Sequence, residues 1–563
     1  MMRYNFQRLA FSLILAGFLA ACNTTNGSGE GSMSSAMQGV TDSVAGLFGD
    51  TADPEIHPMV LVQSRQRDID VDEVENAEAL MDASAPCDTT KKSLRSDFTL
   101  GQQELRETEY GIWPVQKATD YANQILDRIV ACSPFDPVPA TVVIVPKAGR
   151  DARVYRDGLI EISVESFDGS PQAVDILAFT IAHEYSHILL KHYERGQATQ
   201  KRNRIFRTAL EAAFLADDVL NNNGADAQAA SKLKTPMMVN RTMDVLFEYS
   251  WGRQDEHEAD MVGLHLATRA GFEGYAGASG FLDKLKDQPT IESRVLALAQ
   301  DKERIAGDLV KGGVSGGKDG IMDALKGVGG DMAQSLAKSL EESHPSPDAR
   351  KDMLLDHSEF VKYDDFEEVR LELGLDQQFP LPDYKKVVAD RELQAALKAF
   401  AAAQEVHDAL GSVGSLSELS DGETVDTLLA KAKVGVSGAS WLENNAFGRI
   451  AFSSLRQMQG KNDLAIIGFE RYALKQEGAP LRIYEGLMDR QIQAKDNKAA
   501  TKTLAAAEAE FGSDNDILYP MRIKLAHAKG EDTQGLLAGC RLVSDPRIAR
   551  MCRFWQQGGI PQS

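Results

Sequence analysis

Apolar and polar residues alternate in two short segments near residue 150. They read TVVIVP at 141–146 and LIEISVE at 159–165. In the second segment, a period of two residues places Ile160, Ile162 and Val164 on one face and mostly polar side chains on the other. Both segments predict β-strands, and the second predicts a strand with one apolar and one polar face.

Beyond residue 170 the apolar positions follow helical spacing instead. Ser170-Pro171 is a start signal for a helix from about Gln172 to Arg195. A second helix is predicted at 252–271, and residues 203–250 also look mostly helical. On the helix at 252–271, one face carries small or apolar residues suited to packing against another helix: Ala259, Gly263, Leu266, Ala267 and Ala270.

From about Phe379 onwards the pattern is helical with a faint period. Breaks at KND (461–463), KDN (495–497) and GED (530–532) recur roughly every 34 to 35 residues. Further breaks lie between or beyond them, at EGAP (477–480), FGSD (511–514) and VSDP (543–546). One helical hairpin per period is typical of tetratricopeptide (TPR) repeats, which bind other polypeptides on a concave face. A non-repetitive helical bundle is the alternative.

The length and net charge of the chain limit the number of domains and the functional classes that it can have. A chain of 563 residues is long enough for two or three domains. Its net charge of −22 argues against a nucleic-acid binder, which requires a basic surface, and against electrostatic docking on anionic lipid. The segment 311–332 contains eight glycines and predicts a surface linker, with a mobile flap near a site as the alternative.

Residues 1–21 have the layout of a secretory signal peptide. Two arginines precede an apolar run from Leu9 to Ala21. This run is too short to span a membrane, and no other segment reaches the about 20 apolar residues that a spanning helix requires. Its end, LAAC, resembles the lipobox of bacterial lipoproteins, in which Cys22 would carry the lipid anchor. The alternative is an ordinary cleaved signal whose cysteine is incidental.

The residues after Cys22 predict which membrane the chain is anchored to and how the folded part is connected to that anchor. Asn23 follows the cysteine, and by resemblance to the sorting rule of Gram-negative bacteria this favours the outer membrane. The segment 23–50 is rich in Gly, Ser, Thr and Asn and predicts a flexible tether.

Four further cysteines are compatible with two disulfides in an exported chain. Cys540 and Cys552 are the better pair, because Ser544-Asp545-Pro546 between them predicts a turn. Cys87 and Cys132 then pair by elimination.

The most specific chemical signal is the motif HEYSH. His183 and His187 are four residues apart on a predicted helix, so both imidazoles can reach one metal ion. Glu184 lies about 100° round the helix, where it can act as a general base that takes a proton from water and passes it to the leaving amine. His192 is expected near the opposite face. The alternative is a helix with buried, hydrogen-bonded histidines and no metal.

A catalytic zinc ion needs a third protein ligand, and the helix at 252–271 contains the candidates. At about 100° per residue, Glu256 lies on the packing face and Asp260 lies beside it, whereas Glu258 and His265 point the opposite way. We therefore expect Glu256 to bind zinc and Asp260 to orient a ligating histidine. An exposed acidic helix is the alternative.

The chain resembles the gluzincin metallopeptidases of the HtpX, CaaX prenyl protease and BepA family in two motifs, HEYSH and EHEAD. The resemblance covers roughly 100–375 and implies one zinc ion per chain, with Glu256 as its third ligand. The later segment SHPSPDAR is similar to a His-Pro…Arg segment of the family, which implies that His344 and Arg350 lie near the cleft. The family also has an edge strand that pairs with extended substrate, and LIEISVE would be that strand.

Together these features predict a mostly α-helical fold with a small β-sheet. It comprises an α+β zincin-type metallopeptidase domain and an all-α, TPR-like C-terminal domain. The expected divisions are a signal peptide (1–21), a lipid-anchored tether and N-terminal segment (22–97), the metallopeptidase domain (98–378) and the helical domain (379–563).

The combination of lipid anchor, peptidase motifs and repeat-like C-terminus looks most like the BepA branch, whose members act in outer-membrane protein quality control. We therefore expect a zinc-dependent endopeptidase of the periplasm of a Gram-negative bacterium, lipid-anchored to the outer membrane. Its expected substrates are misfolded or stalled envelope proteins, with the outer-membrane assembly machinery as a candidate partner. The alternatives are a periplasmic chaperone or assembly factor with latent or minor protease activity, and a structural lipoprotein without zinc.

Overall fold

The computed structural model describes residues 56–74, 79–80, 82, 85–94, 98–108, 110–148, 152–194, 253–286, 346–360, 371, 373–412, 425–438, 440–476, 478–543, 548–549, 551–552 and 555. Several expectations fall outside these residues: the signal peptide with Cys22, the tether, the helices at 203–250, the glycine-rich segment 311–332 and His344. Within them the chain is mostly helical with one small mixed sheet, which confirms that level of the predicted fold. None of the described helices is both long and apolar enough to cross a membrane.

The sheet has three strands in the order β1–β3–β2. Their bounds are Thr141–Val145 (β1), Ala152–Val154 (β2) and Leu159–Ser163 (β3). β3 runs parallel to β1 and antiparallel to β2. The turn before β3 requires Gly158, which has a φ of 94° and whose Cβ, if it had one, would lie 2.0 Å from the carbonyl oxygen of Pro139.

The prediction that LIEISVE forms the substrate-facing edge strand is wrong. Among the described strands β3 is the central one, and all five of its residues are buried. Its predicted polar face is buried too, because the Glu161 carboxylate accepts hydrogen bonds from Tyr155 Oη at 2.6 Å and from Lys147 Nζ at 2.9 Å. Alternation identifies polar side chains but not the donors that allow them to be buried. The edge strands among those described are β1 and β2.

The first helices of the chain pack on this sheet and on one another. They are α1 (Pro58–Arg67), α2 (Thr99–Thr108), α3 (Gln116–Cys132), α4 (Ala173–Leu189), α5 (Arg253–Arg269), α6 (Gly274–Lys286) and α7 (Pro347–Phe360). α4 lies at the centre, where α3, α5, α6 and the sheet contact it. Because α4 is apolar on nearly every side, it is a core helix, and its few polar side chains are held in the interior.

The remaining helices follow one another along the chain. They are α8 (Leu375–Gln378), α9 (Tyr384–Val388), α10 (Arg391–Ser412), α11 (Val425–Val436), α12 (Ala446–Met458), α13 (Asn462–Arg471), α14 (Leu481–Gln493), α15 (Asn497–Phe511), α16 (Tyr519–Lys529) and α17 (Gln534–Cys540). From α10 to α17 each helix packs on the next, and α10, α12, α14 and α16 also form a contacting series. Left-handed residues end helices at or beside three predicted breaks: Gly460, Lys495 and Gly530, with φ of 71°, 60° and 72°.

The hydrophobic core continues across the predicted domain boundary at residue 378. Trp113, before α3, packs edge-on against Phe400 of α10, and Phe400 stacks on Phe447 of α12. These three residues belong to the same apolar cluster as β1 and α4. The start of the helical region is therefore part of the core that supports the sheet.

Two disulfides are present in the structure, Cys87–Cys132 and Cys540–Cys552. The first joins the segment before α2 to the last residue of α3, and the second joins α17 to the residues that follow it. These are the two pairings expected from the sequence.

Candidate metal centre

Two histidines of α4 converge in the interior. His183 and His187 lie one helical turn apart and are 3 % and 2 % exposed. Their Nε2 atoms are 3.2 Å apart. The rings of Phe179 and Phe281 pack against His183, with ring centroids 6.0 and 5.6 Å away. Aromatic rings therefore hold one side of the His183 imidazole.

α5 brings a carboxylate over this pair because the two helices approach very closely at Gly263. A Cβ at that position would lie 3.0 Å from the backbone N and Cα of His183, a tighter contact than nearly all Cβ atoms make. At the start of α5, Glu256 places one carboxylate oxygen 3.6 Å from His183 Nε2 and the other 3.6 Å from His187 Nε2. The small-residue face predicted from helical phase is thus the face that makes this approach.

The spacing of the three groups fits a divalent transition metal. Their candidate ligand atoms all lie within 4.8 Å of one another. Ligands held about 2.0–2.2 Å from a tetrahedral ion are about 3.3–3.6 Å apart, close to the observed 3.2 and 3.6 Å. Two imidazoles and one carboxylate are also a donor set of catalytic zinc sites. The residues present therefore fit a zinc ion.

An aspartate and an arginine orient His183 from behind. Nδ1 of His183 lies 3.0 Å from Asp260 Oδ1. Arg350, one turn into α7, donates from Nε and Nη2 to the two oxygens of Asp260 at 2.6 and 2.7 Å. Its Nη2 also lies 3.2 Å from Glu256 Oε2. Arg350 therefore holds the carboxylates of Glu256 and Asp260, and Asp260 turns Nε2 of His183 towards Glu256.

Burial and pairing together determine the charges of this network. Burial would raise the pKa of Asp260, but the Arg350 guanidinium and the bond to His183 lower it to about 2. Burial would lower the pKa of His183, yet Asp260 and Glu256 more than offset it and the pKa is raised. Burial and the neighbouring His183 keep the pKa of His187 well below its usual value. At neutral pH His187 is therefore neutral, as a metal ligand must be.

A chain of hydrogen bonds runs behind His187. Its Nδ1 lies 2.8 Å from Nδ1 of His192, and Nε2 of His192 lies 3.1 Å from Glu258 Oε2. Arg65 Nη1 donates to that same oxygen at 2.8 Å. When Nε2 of His187 binds an ion, its proton is on Nδ1 and is donated to His192, which then donates from Nε2 to Glu258. This chain of bonds selects the ligating tautomer of His187.

The expectation that His192 lies near the opposite face of the helix is wrong. α4 ends at Leu189, and Lys191 has a left-handed φ of 52°, so the chain turns back and returns His192 to His187. Glu258 does point away from Glu256, but it is 2 % exposed because α1 covers that side of α5. Arg65 and Glu258 are 193 residues apart in the chain, and no sequence motif links them.

Glu184, the predicted base, is buried beside His183, and its charge contributes to the raised pKa of that histidine. A cavity of about 120 Å³ opens next to His187 on the β2 side. Its lining comes from the end of β2 and from the end of α4: Val154, Tyr155, Arg156, Ile188, Lys191, Tyr193 and Glu194. The cavity therefore connects the end of β2 with one of the two histidines.

The region that contains the site matches the model of a known protein family. Residues 157–357 match the family model of peptidase family M48. This stretch contains α4, α5 and α7, and with them the convergent His183, His187 and Glu256. The match supports a metallopeptidase.

Curated relatives point in the same direction. Over 178 residues the chain is 28 % identical to the β-barrel assembly-enhancing protease of Escherichia coli O157:H7, an alignment that covers 31 % of this chain and 34 % of that protein. Proteins of the same name from Escherichia coli K12 and Shigella flexneri are 27 % identical over 178 residues. The chain therefore spans about a third of the length of these relatives.

Proposed function

We propose that this chain is a zinc-dependent endopeptidase of the cell envelope that hydrolyses misfolded or stalled envelope proteins. The observation that carries the proposal is the convergence of His183, His187 and Glu256 around a point that fits one ion, with Glu184 buried beside it. The M48 match supports the reaction class. The similarity to proteases named for β-barrel assembly supports the envelope setting.

In this mechanism the chain positions its groups before substrate arrives. When bound, zinc supplies a Lewis acid that polarises the scissile carbonyl. Glu184 takes a proton from the attacking water and later delivers it to the leaving amine. Asp260 and His192 hold the two imidazoles in the ligating tautomer. Arg350 prevents Glu256 and Asp260 from repelling each other in a buried space.

The substrate is proposed to bind as an extended strand along β2. β2 (Ala152–Val154) pairs only with β3 among the described strands, and the residues at its end line the cavity beside His187. An extended peptide that adds to this edge satisfies the backbone groups of β2. Only unfolded segments offer such a free strand, which suits a protease for misfolded proteins.

The consecutive helices α12–α17 are proposed to form a TPR-like surface that recognises polypeptide substrates. Their one-after-another packing supports this assignment, because stacked helical hairpins leave a continuous concave face. The lipobox-like Cys22 supports anchoring in the periplasm at the outer membrane, with the outer-membrane assembly machinery as a candidate partner.

Substitution of Glu184 by glutamine tests the mechanism. The variant Glu184→Gln should fold and bind zinc like the wild type, because Glu184 is not a ligand, but it should lose cleavage of an unfolded outer-membrane protein. Loss of a general base costs about 10²–10⁴-fold in rate. The measurements are zinc content and the rate of appearance of new peptide ends. Glu470→Gln is the matched control, since it makes the same chemical change at an exposed position of α13.

Unchanged cleavage by Glu184→Gln would contradict the mechanism. Full rescue of a deletion strain by the same variant would favour a chaperone or assembly factor instead. A wild-type protein that retains no zinc after purification would contradict both the metal centre and the enzyme.

A further inference from the structure

Three histidines from distant segments meet on the side of α5 that faces away from Glu256. His57 immediately precedes α1, His265 lies on α5 and His357 lies on α7. His265 is 2 % exposed and His357 8 % exposed, while His57 is half-buried. Nε2 of His57 and Nε2 of His265 lie 3.3 and 2.8 Å from Nε2 of His357. One ring nitrogen of each histidine lies within 4.8 Å of the other two, around a common centre.

Hydrogen bonds among the three rings cannot satisfy all three Nε2 atoms at once. Nε2 of a neutral imidazole offers either one proton or one lone pair. His57 Nδ1 accepts from the Met59 amide at 3.2 Å, so its ring proton is on Nε2 and uses the lone pair of His357 Nε2. The same atom of His357 has no second lone pair for His265. Nδ1 of His265 is buried without a partner among the described residues. Moving the ring proton of His265 from one nitrogen to the other therefore forms no additional hydrogen bond.

We infer that His57, His265 and His357 form a second metal site, one that takes a divalent transition ion such as Zn²⁺. A cation at the common centre would bind all three Nε2 lone pairs at once. Three imidazole nitrogens suit zinc, copper or nickel, whereas magnesium and calcium take oxygen ligands. This site shares no ligand with the candidate peptidase centre, and it does not depend on the proposed function.

The distances and protonation states support this assignment. Nitrogens held about 2.0–2.1 Å from a tetrahedral zinc ion are about 3.3 Å apart. The His57–His357 separation already has this value, and the His265–His357 separation must open by about 0.5 Å. Burial lowers the pKa of His57 and of His357 to about 4, so both rings are neutral at pH 7 and ready to bind a metal. Binding moves the ring proton of His57 to Nδ1, which breaks one capping hydrogen bond to Met59, a small loss against a bond to the ion.

The position of the site indicates what an ion there would do. α5 carries both Glu256 and His265, and α7 carries both Arg350 and His357. His57 adds the start of α1. An ion would therefore fasten α1 and α7 to the back of α5 and hold Arg350 in place against the carboxylates of the peptidase centre. Its role is structural.

Zinc titration of the metal-depleted full-length chain tests this inference, with content checked by elemental analysis after gel filtration. His57→Asn is the main variant, because asparagine keeps the helix N-cap but removes the ligand nitrogen. His357→Gln is an independent second variant. His527→Asn, at an exposed position of α16, is the matched control. A His183→Asn/His187→Asn double variant removes the peptidase centre and isolates the second site.

The wild type and His527→Asn should bind two zinc ions per chain. His57→Asn and His357→Gln should each keep the first ion and bind the second at least about 100-fold more weakly, since even loss of a supporting partner costs about 10–100-fold. The double variant should bind one ion, and adding His57→Asn to it should abolish that binding. The inference is overturned if the wild type binds a single ion, if the double variant binds none, or if His57→Asn and His357→Gln both retain two.

Discussion

The metal centre between α4 and α5 contrasts with the interfaces between successive helices from α12 to α17, called the helical joints. The two are built from opposite kinds of side chain. The centre buries charged and ionisable groups, including His187, Asp260 and Arg350. The joint between α12, α13 and α14 buries an apolar cluster that includes Phe469, Ile483 and Leu487. Both regions are helix packed on helix, so the difference lies in what the interfaces contain.

The two regions also differ in how far apart their contacting residues are in the chain. Each of α12–α17 packs mainly on its neighbours along the sequence, so its interfaces are local. The Asp260–Arg350 pair spans 90 residues and the Arg65–Glu258 pair spans 193. Burying a charge costs desolvation free energy that is recovered only when every partner is in place. The metal centre therefore depends on α1, α4, α5 and α7 all being in place, whereas the helical joints depend on local packing.

The largest expected effect comes from breaking the buried ion pair of the centre. Asp260→Asn leaves Glu256 as the one acidic partner of Arg350 among the described residues, and it replaces the carboxylate that accepts from His183 with a neutral amide oxygen. Loss of one partner of a buried pair destabilises by about 3–5 kcal/mol. We expect that loss in urea denaturation of the metal-free protein, together with weaker zinc binding. An unfolding free energy within about 1 kcal/mol of wild type would contradict the pairing.

A core truncation in the helical joints should be nearly as destabilising but should leave the metal centre intact. Leu487 of α14 is 1 % exposed, and Leu487→Ala should cost about 2–5 kcal/mol through lost burial and a cavity. Zinc affinity and cleavage of a short peptide should remain at wild-type values, because the described apolar cluster that contains Leu487 is made of residues from α12, α14 and the segment between them. Parallel loss of zinc would show that the two regions are coupled.

Removal of the hydrogen-bonding partner behind His187 should affect zinc more than folding. His192→Phe keeps a ring of similar shape but cannot accept from His187 or donate to Glu258. We expect zinc affinity about 10–100-fold lower, measured against a competing chelator. His407→Phe is the control, because it makes the same change at a partly buried histidine that bonds to the Phe447 carbonyl in the helical region. Equal zinc affinity for both variants would contradict a role for His192 in the metal centre.

The smallest effect is expected at an ion pair of the helical region. Lys524 Nζ lies 2.8 Å from Asp489, and both side chains are about one-fifth exposed. Asp489→Asn should change the unfolding free energy by about 0–1 kcal/mol, since water and salt screen such pairs. The same denaturation experiment that measures Asp260→Asn provides the comparison. A loss as large as that of Asp260→Asn would mean that burial does not distinguish the two regions.

Much of the site follows from short-range geometry. The spacing of four residues places His183 and His187 on one face, and helical phase selects Glu256 and Asp260 from a segment with several other ionisable groups. These deductions need only the 3.6-residue turn of a helix, and the structure brings the four side chains together. The breaks between α12 and α16 are equally local, since a left-handed residue ends a helix wherever it stands.

Sequence reasoning fails where the outcome depends on a distant partner. The alternation in LIEISVE predicts a polar face, but Lys147 and Tyr155 allow Glu161 to be buried in the central strand. Helical phase misplaces His192, because the helix ends before it and Lys191 turns the chain back.

The sequence by itself determined the helices, their phase and the residue types of the metal centre, because these depend on neighbours within a turn or two. Only the tertiary structure decided which strand is central, which charges are paired in the interior and which histidines meet. His57 and His357 are 300 residues apart, and their contact follows from how α1, α5 and α7 pack. A local pattern carries no information about such partners, because the free energy that holds them together arises only when distant segments exclude water from the same place.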